Sequence, residues 1–422
     1  MRNRHLLRLV AVLAGTIIVA AACGEEEGGN GGGEFQAGEL GAVTIAPDEP
    51  LELGVIQTIT GETASLGDDQ VRGIELAVED FGGEFRGHEI ELSVEDGGCA
   101  AEGGTAAAQS LVGNEQIVGI IGTSCSGEAV PASQIMSEAG LTMISGSNTS
   151  PILTSVAGEE GEAHHDGYFR TAHNDEIQGA AAAQFVFEEL GIDKAATIND
   201  GDPYTEGMTT AFGQSYEELG GTVTEATAVG PDDTDMRPVL TEIDASGAEL
   251  VFFPIFQPAG DFVAKQAREI GYEGATLMGA DGLLSDTYVS IPATEEMYFS
   301  GPLTPETDEY TEFVGKYEEA YGEKPIQAFH AHAYDATMIM LGAIEDIAVE
   351  DEDGTLHIDR QELRDTVGAT EGYEGLTGTL TCDEFGDCAN PVIQVYQNTE
   401  ELKTIDEVKS EPIFEFDPSQ EG

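Results

Sequence analysis

From Leu51 onward, short apolar runs alternate with segments of helical period, and the alternation runs through the chain twice. No other feature constrains the fold as tightly, because repeated strand–helix units pack as parallel sheets with helices on both faces. In the first series, residues 51–57 read as a strand, Val71, Ile74, Val78 and Phe81 recur at helical spacing, and Ile90, Leu92 and Val94 alternate as a strand does. An Ala-rich helix over 105–112 follows, then the unbroken apolar run 117–121, typical of a parallel strand buried on both faces. A helix over 128–139 and a strand over 141–144 complete this series. The second series pairs helices over 176–190, 205–219, 236–245 and 259–270 with strands over 195–198, 222–228, 250–253 and 275–278, and adds a strand at 297–300. Helices over 307–321 and 326–347 come next, and a further helix starts at Asp359, where Asp359 and Glu362 resemble a capping box. The chain's 422 residues exceed what one core usually serves. The expected fold is therefore α/β, with two doubly wound, Rossmann-like lobes.

In open sheets of this kind, ligands sit beyond the carboxyl ends of the strands. The loop after Ile121 reads Gly122-Thr123-Ser124-Cys125-Ser126-Gly127, and that after Ile144 reads Ser145-Gly146-Ser147-Asn148-Thr149-Ser150. Both are rich in small residues and hydroxyls. The first opens a helix, whose free N–H groups favour an anion such as a carboxylate. The corresponding loops of the second series carry Tyr204, Phe256 and Asp281. One side thus offers hydroxyls and N–H groups, the other two aromatics and an acid. Together they suit a zwitterion, although each loop alone could be ordinary turn chemistry.

The N-terminus reads as an address. Arg2, Arg4 and Arg8 precede an apolar run, 9–22, that is short for a membrane span and ends in small residues before Cys23. The pattern resembles a bacterial lipobox, which implies a signal peptide over 1–22, cleavage before Cys23 and lipidation of that residue. Residues 23–47, with Glu25 to Glu27 and a Gly-rich run to Gly33, are expected as a flexible tether. The other four cysteines make two pairs that an oxidising compartment permits. Cys99 and Cys125 each follow a strand-like run, and Cys382 and Cys388 bracket a turn. A 99–125 bridge would be worth about 3 kcal/mol in the chain-entropy model. A metal site is the weaker alternative, since no Cys-x-x-Cys occurs.

Charge excludes one partner class. With 16 Lys+Arg against 81 Asp+Glu, the net charge is -65, and nucleic-acid binding needs clustered bases. The acid excess reads as a solvated surface suited to a saline or acidic habitat. Hydrophobic residues make up 40%, which argues against wholesale disorder.

The order and spelling of the loops resemble the branched-chain amino-acid binding proteins, receptors of ABC importers in the type I periplasmic-binding-protein superfamily. Thr60-Gly-Glu-Thr-Ala-Ser-Leu-Gly67, Val94-Glu-Asp-Gly-Gly-Cys99, Met143-Ile-Ser-Gly-Ser-Asn-Thr-Ser-Pro151, Phe169-Arg-Thr-Ala172, Gly279-Ala-Asp-Gly282 and Gly375-Leu-Thr-Gly378 carry the likeness, over about 50 to 398. It implies carboxylate contacts at Ser126, Ser147 and Thr149, with a backbone contribution from Asn148, where Ala is usual. It implies lobe-two aromatics at Tyr204 and Phe256, and Asp281 holding the ammonium. Leu66 stands where an aromatic often packs on the ligand, Phe256 where Tyr is frequent, and Asp281 where Glu is frequent. Cys99 and Cys125 match a family disulfide. The segment 159–166, the 382–388 pair and an acidic tail over 401–422 are additions.

Three hinge crossovers near 170, 298 and 381 follow from the likeness, with lobe one over 48–169 and 299–380, lobe two over 170–298 and 381–400, and the ligand cleft between them. The implied protein is a monomeric solute receptor without catalytic residues, cofactor or metal. It would deliver its ligand to permease subunits and touch the membrane only through its lipid. An amide, urea or aromatic acid is the rival ligand, and a secreted hydrolase the rival class. Gly122-Thr-Ser124-Cys-Ser126 misses the Gly-x-Ser-x-Gly elbow. His164, His165 and His173 are expected at the surface, and His330 and His332 on a helix face. The segment from Val349 lacks the ligands of a calcium loop.

Overall fold

The computed structural model describes residues 35–420, apart from 273, 274 and 403. Two sheets organise it. The first has the order Glu84–Phe85, His88–Asp96, Leu51–Gln57, Ile117–Gly122, Met143–Ser145, Tyr168–Arg170. All its strands run parallel except the short Glu84–Phe85 edge. The second has the order Thr222–Ala228, Lys194–Asn199, Leu250–Phe252, Thr276–Gly279, Tyr298–Pro302, Ile393–Gln397, Phe414–Phe416, with Ile393–Gln397 antiparallel to both its neighbours. Each sheet carries helices on both faces, as the alternating pattern demands. Ile117, Val118, Ile120 and Ile121 are all at most 1% exposed, so the apolar run is a strand covered twice. On one face lies the helix His330–Ile347, whose Ala333, Ala336, Met340 and Ile344 enter the first core. Gly119 admits it: a Cβ there would sit 2.6 Å from Met340 Sδ. Asp359 caps its helix by accepting from Glu362 N at 2.9 Å. No helix among the described residues is long and apolar enough to cross a membrane.

The structure corrects the expected boundaries in four places. Ala42–Ile45, assigned to the tether, is a strand paired antiparallel with Leu356–Asp359. Its alternation buries Val43 and Ile45. Tyr298–Pro302 belongs to the second sheet through Pro302, four residues into the expected first lobe. The Cys382–Cys388 turn, expected in lobe two, packs with the first core, where Cys388 is fully buried. The acidic tail is also folded: Ile405–Lys409 is a capped helix and Phe414–Phe416 a strand on Ile393–Gln397. Ile405, Val408 and Phe416 supply its buried side. Cys23 and the expected signal segment lie outside the described residues.

Candidate functional site

The first wall is built at the carboxyl ends of two neighbouring strands. After Gly122 the chain turns into the helix Ser126–Glu138. The buried Glu128 carboxylate gathers this turn, accepting from Ser124 N at 3.1 Å and Cys125 N at 3.3 Å, and from the Thr58 hydroxyl. The Cys99–Cys125 disulfide, with Cα atoms 5.2 Å apart, ties it to the neighbouring loop. Ser126 Oγ accepts from Ser150 N at 3.2 Å, which joins the first hydroxyl loop to the second. In the second loop, Ser145 Oγ accepts from the N–H groups of Ser147 and Asn148 at 3.1 and 3.0 Å. Ser147 Oγ donates to Ser124 O at 2.7 Å. These groups are almost all paired within the wall.

The second wall is different. Asp202 caps the helix Pro203–Leu219 and places Tyr204 in its first turn. Tyr204 and Phe256 stand with ring centroids 5.3 Å apart. Asp281, just past the strand Thr276–Gly279, is 4% exposed. Its Oδ1 accepts from Gln178 Nε2 at 2.7 Å and the Tyr204 hydroxyl at 3.3 Å. Burial pushes the Asp281 carboxyl up to about 6. Asp175 is fully buried, beside the Thr149 hydroxyl. Burial, and then the charge of Asp281, holds its carboxyl well above the usual range.

Leu66, Ser126, Ser147 and Thr149 line one side of a single cavity, and Tyr204, Phe256 and Asp281 the other. The room left between them is about 10 Å³, enough for the centre of roughly one water molecule. A larger ligand must therefore part the walls. Outside it a 510 Å³ mouth opens, rimmed by Thr60, Glu62, Asp200 and Asp232. The walls also touch directly, through Gly127 N on Asp202 Oδ2 at 3.1 Å and Ser150 Oγ on Pro203 O at 2.9 Å.

Asn148 is the one expected site residue whose side chain is not at the cavity. Its Nδ2 donates to Thr123 O at 3.0 Å, and its Oδ1 accepts from Tyr168 OH at 3.1 Å. Sequence reasoning missed Ser124, Phe329 and Asp175. Phe329, which also lines the cavity, sits just before a long helix with no strand to flag it. Asp175 reads as an ordinary first-turn acid, and only its position after the strand Tyr168–Arg170 could have marked it. His173 is buried at 2% exposure, not on the surface, because it packs on Phe329 and bonds Gln178. Burial drops it to about 4. His330 and His332 are likewise buried, the former bonded to Asp69 at 2.9 Å.

Two sheet-rich lobes whose loops enclose one small polar cavity define a solute receptor, and the comparisons agree. The profile of the periplasmic binding protein family matches residues 50–396, and the chain belongs to that family. Its members bind solutes and are not enzymes. A Brucella melitensis Leu/Ile/Val-binding protein homolog is 28% identical over 82% of this chain and 91% of its own. A leucine-binding protein from Thermotoga maritima superposes with a TM-score of 0.75 at 24% identity, covering 87% of this chain and 99% of its own. A solute-binding protein of an ABC transporter from R. palustris, in complex with benzoate, does so at 0.71 and 21% identity, over 83% and 94%.

Proposed function

We propose that this protein captures a small amino acid of the branched-chain kind between its two walls, closes on it by hinge motion and delivers it to an ABC importer. The observation that carries this is the buried carboxyl of Asp281, which faces a hydroxyl wall across the cavity, with the buried Asp175 within reach of its charge. A buried charge without a partner is strongly unfavourable, and an ammonium would supply one. Ser126, Ser147 and Thr149 would take the ligand carboxylate together with N–H groups at the start of the helix Ser126–Glu138. Leu66, Phe256 and Phe329 would meet an apolar side chain. The names of the Brucella and Thermotoga relatives support the same ligand class. Family membership suggests an extracytoplasmic setting. The lipobox-like stretch before Cys23 supports an anchor there, with permease subunits as partners.

The benzoate complex of the R. palustris protein supports a second reading, an aromatic acid. It would leave Asp281 and Asp175 without a cation. A thermal-shift screen of amino acids, amides and aromatic acids separates the two, since a ligand at about a hundred times its Kd adds about 2.7 kcal/mol. Stabilisation by branched-chain amino acids supports the proposal. Stabilisation by aromatic acids alone would replace it.

A further inference from the structure

We propose that the turn closed by Cys382–Cys388 is a remote determinant of ligand affinity, which holds the 148–150 segment of the first wall in place through Asp387 and Arg170. The Arg170 side chain is fully buried at the end of the strand Tyr168–Arg170. Its Nε donates to Asp387 Oδ1. Its Nη1 donates to Asn148 O at 3.1 Å and Ser150 O at 2.9 Å, and its Nη2 to Thr154 Oγ1 at 2.6 Å. The two carbonyls flank Thr149, so fixing them fixes the residue whose side chain reaches the cavity.

A guanidinium this deep needs an anion held in one place. Among the described residues, Asp387 is the carboxylate in contact with it. Asp387 lies in the five-residue turn between the two cysteines, and the ring is cinched further by Asp383 N on Asp387 O at 2.9 Å and Thr381 N on Cys388 O at 3.0 Å. The turn is also sewn to Arg170 by backbone: Arg170 N donates to Gly386 O at 2.9 Å and Cys388 N to Arg170 O at 3.0 Å. Asp387 Oδ2 accepts from Asn174 Nδ2 at 3.2 Å, which brings in the segment leading to Asp175. Cys388 is buried and Cys382 is partly exposed. Opening the bridge removes the covalent brace on Asp387, weakens its hold on Arg170 and loosens the wall. Asp387 and Arg170 are positioning residues here.

The proposal rests on residues 148–150 being part of the ligand wall, so its test begins without ligand. Amide hydrogen exchange is followed on the unliganded full chain for wild type, the double variant Cys382→Ser/Cys388→Ser, Asp387→Asn and Asp387→Glu. In the double variant and in Asp387→Asn, exchange over 148–154 should rise about tenfold or more while the helix His330–Ile347 stays protected. Asp387→Glu, which keeps the charge, should retain most of the protection. Affinity for L-leucine by calorimetry should fall about tenfold in the double variant. Wild-type protection over 148–154 in both the double variant and Asp387→Asn would overturn the proposal. Failure of wild type to bind any amino acid would instead count against the proposed ligand class, and the exchange result would still decide the role of the turn.

Discussion

The two walls of the cleft are built on opposite principles. In the first, nearly every polar group is already paired: Glu128 gathers the 124–125 turn, Ser145 holds the second loop, and Arg170 grips that loop's carbonyls. In the second, the Asp281 carboxyl is buried among neutral donors, Gln178 and Tyr204, and its charge helps raise the buried Asp175. A satisfied wall gives shape, because its donors cannot drift. A wall that buries an acid among neutral donors gives affinity, because a cation relieves a penalty already present in the fold. The difference teaches that substitutions in the second wall should change binding energy more than those in the first.

The largest expected effect is at Asp281. Asp281→Ala should cost about 3 kcal/mol or more, over a hundredfold in affinity for an amino acid, read by calorimetry. A comparable loss comes from acid. Unliganded Asp281 takes up a proton near 6, whereas the bound ammonium requires it ionised, so protons and ligand compete. Affinity should fall about tenfold per unit well below pH 6. An affinity that rises on acidification would break the assignment. Thr149→Ala should cost less, about fivefold, because the backbone donors of its loop remain. Tyr204→Phe should cost least, about twofold to threefold, as Gln178 still bonds Asp281. An inverted ranking, with Thr149 outweighing Asp281, would reverse the roles of the two walls.

The walls also differ in how legible they were. Strands, helices and the loops at their carboxyl ends follow from apolar periodicity, which is local, and the family resemblance then singled out Ser126, Ser147, Thr149, Tyr204, Phe256 and Asp281 within those loops. What escaped depends on contacts far apart in sequence. Asp175 looks like any acid in a first helical turn, and its meaning comes from Asp281, over a hundred residues on. The Cys382–Cys388 turn joins the first lobe because of Arg170, more than two hundred residues before it. In the tail, Glu411, Glu415 and Asp417 mask the alternation of Phe414 and Phe416 that makes a strand.

The central claim is that a ligand ammonium settles the second wall while the first holds the carboxylate. It is tested most directly by calorimetry of the wild-type protein, at about pH 7.5, with L-leucine and with 4-methylpentanoate, which keeps the carboxylate and the branched chain but lacks the amine. The account predicts that leucine binds and that its deamino analogue binds over a hundredfold more weakly, the price of leaving Asp281 and Asp175 unpaired. Equal affinity for the two, or tighter binding of the analogue, would contradict it.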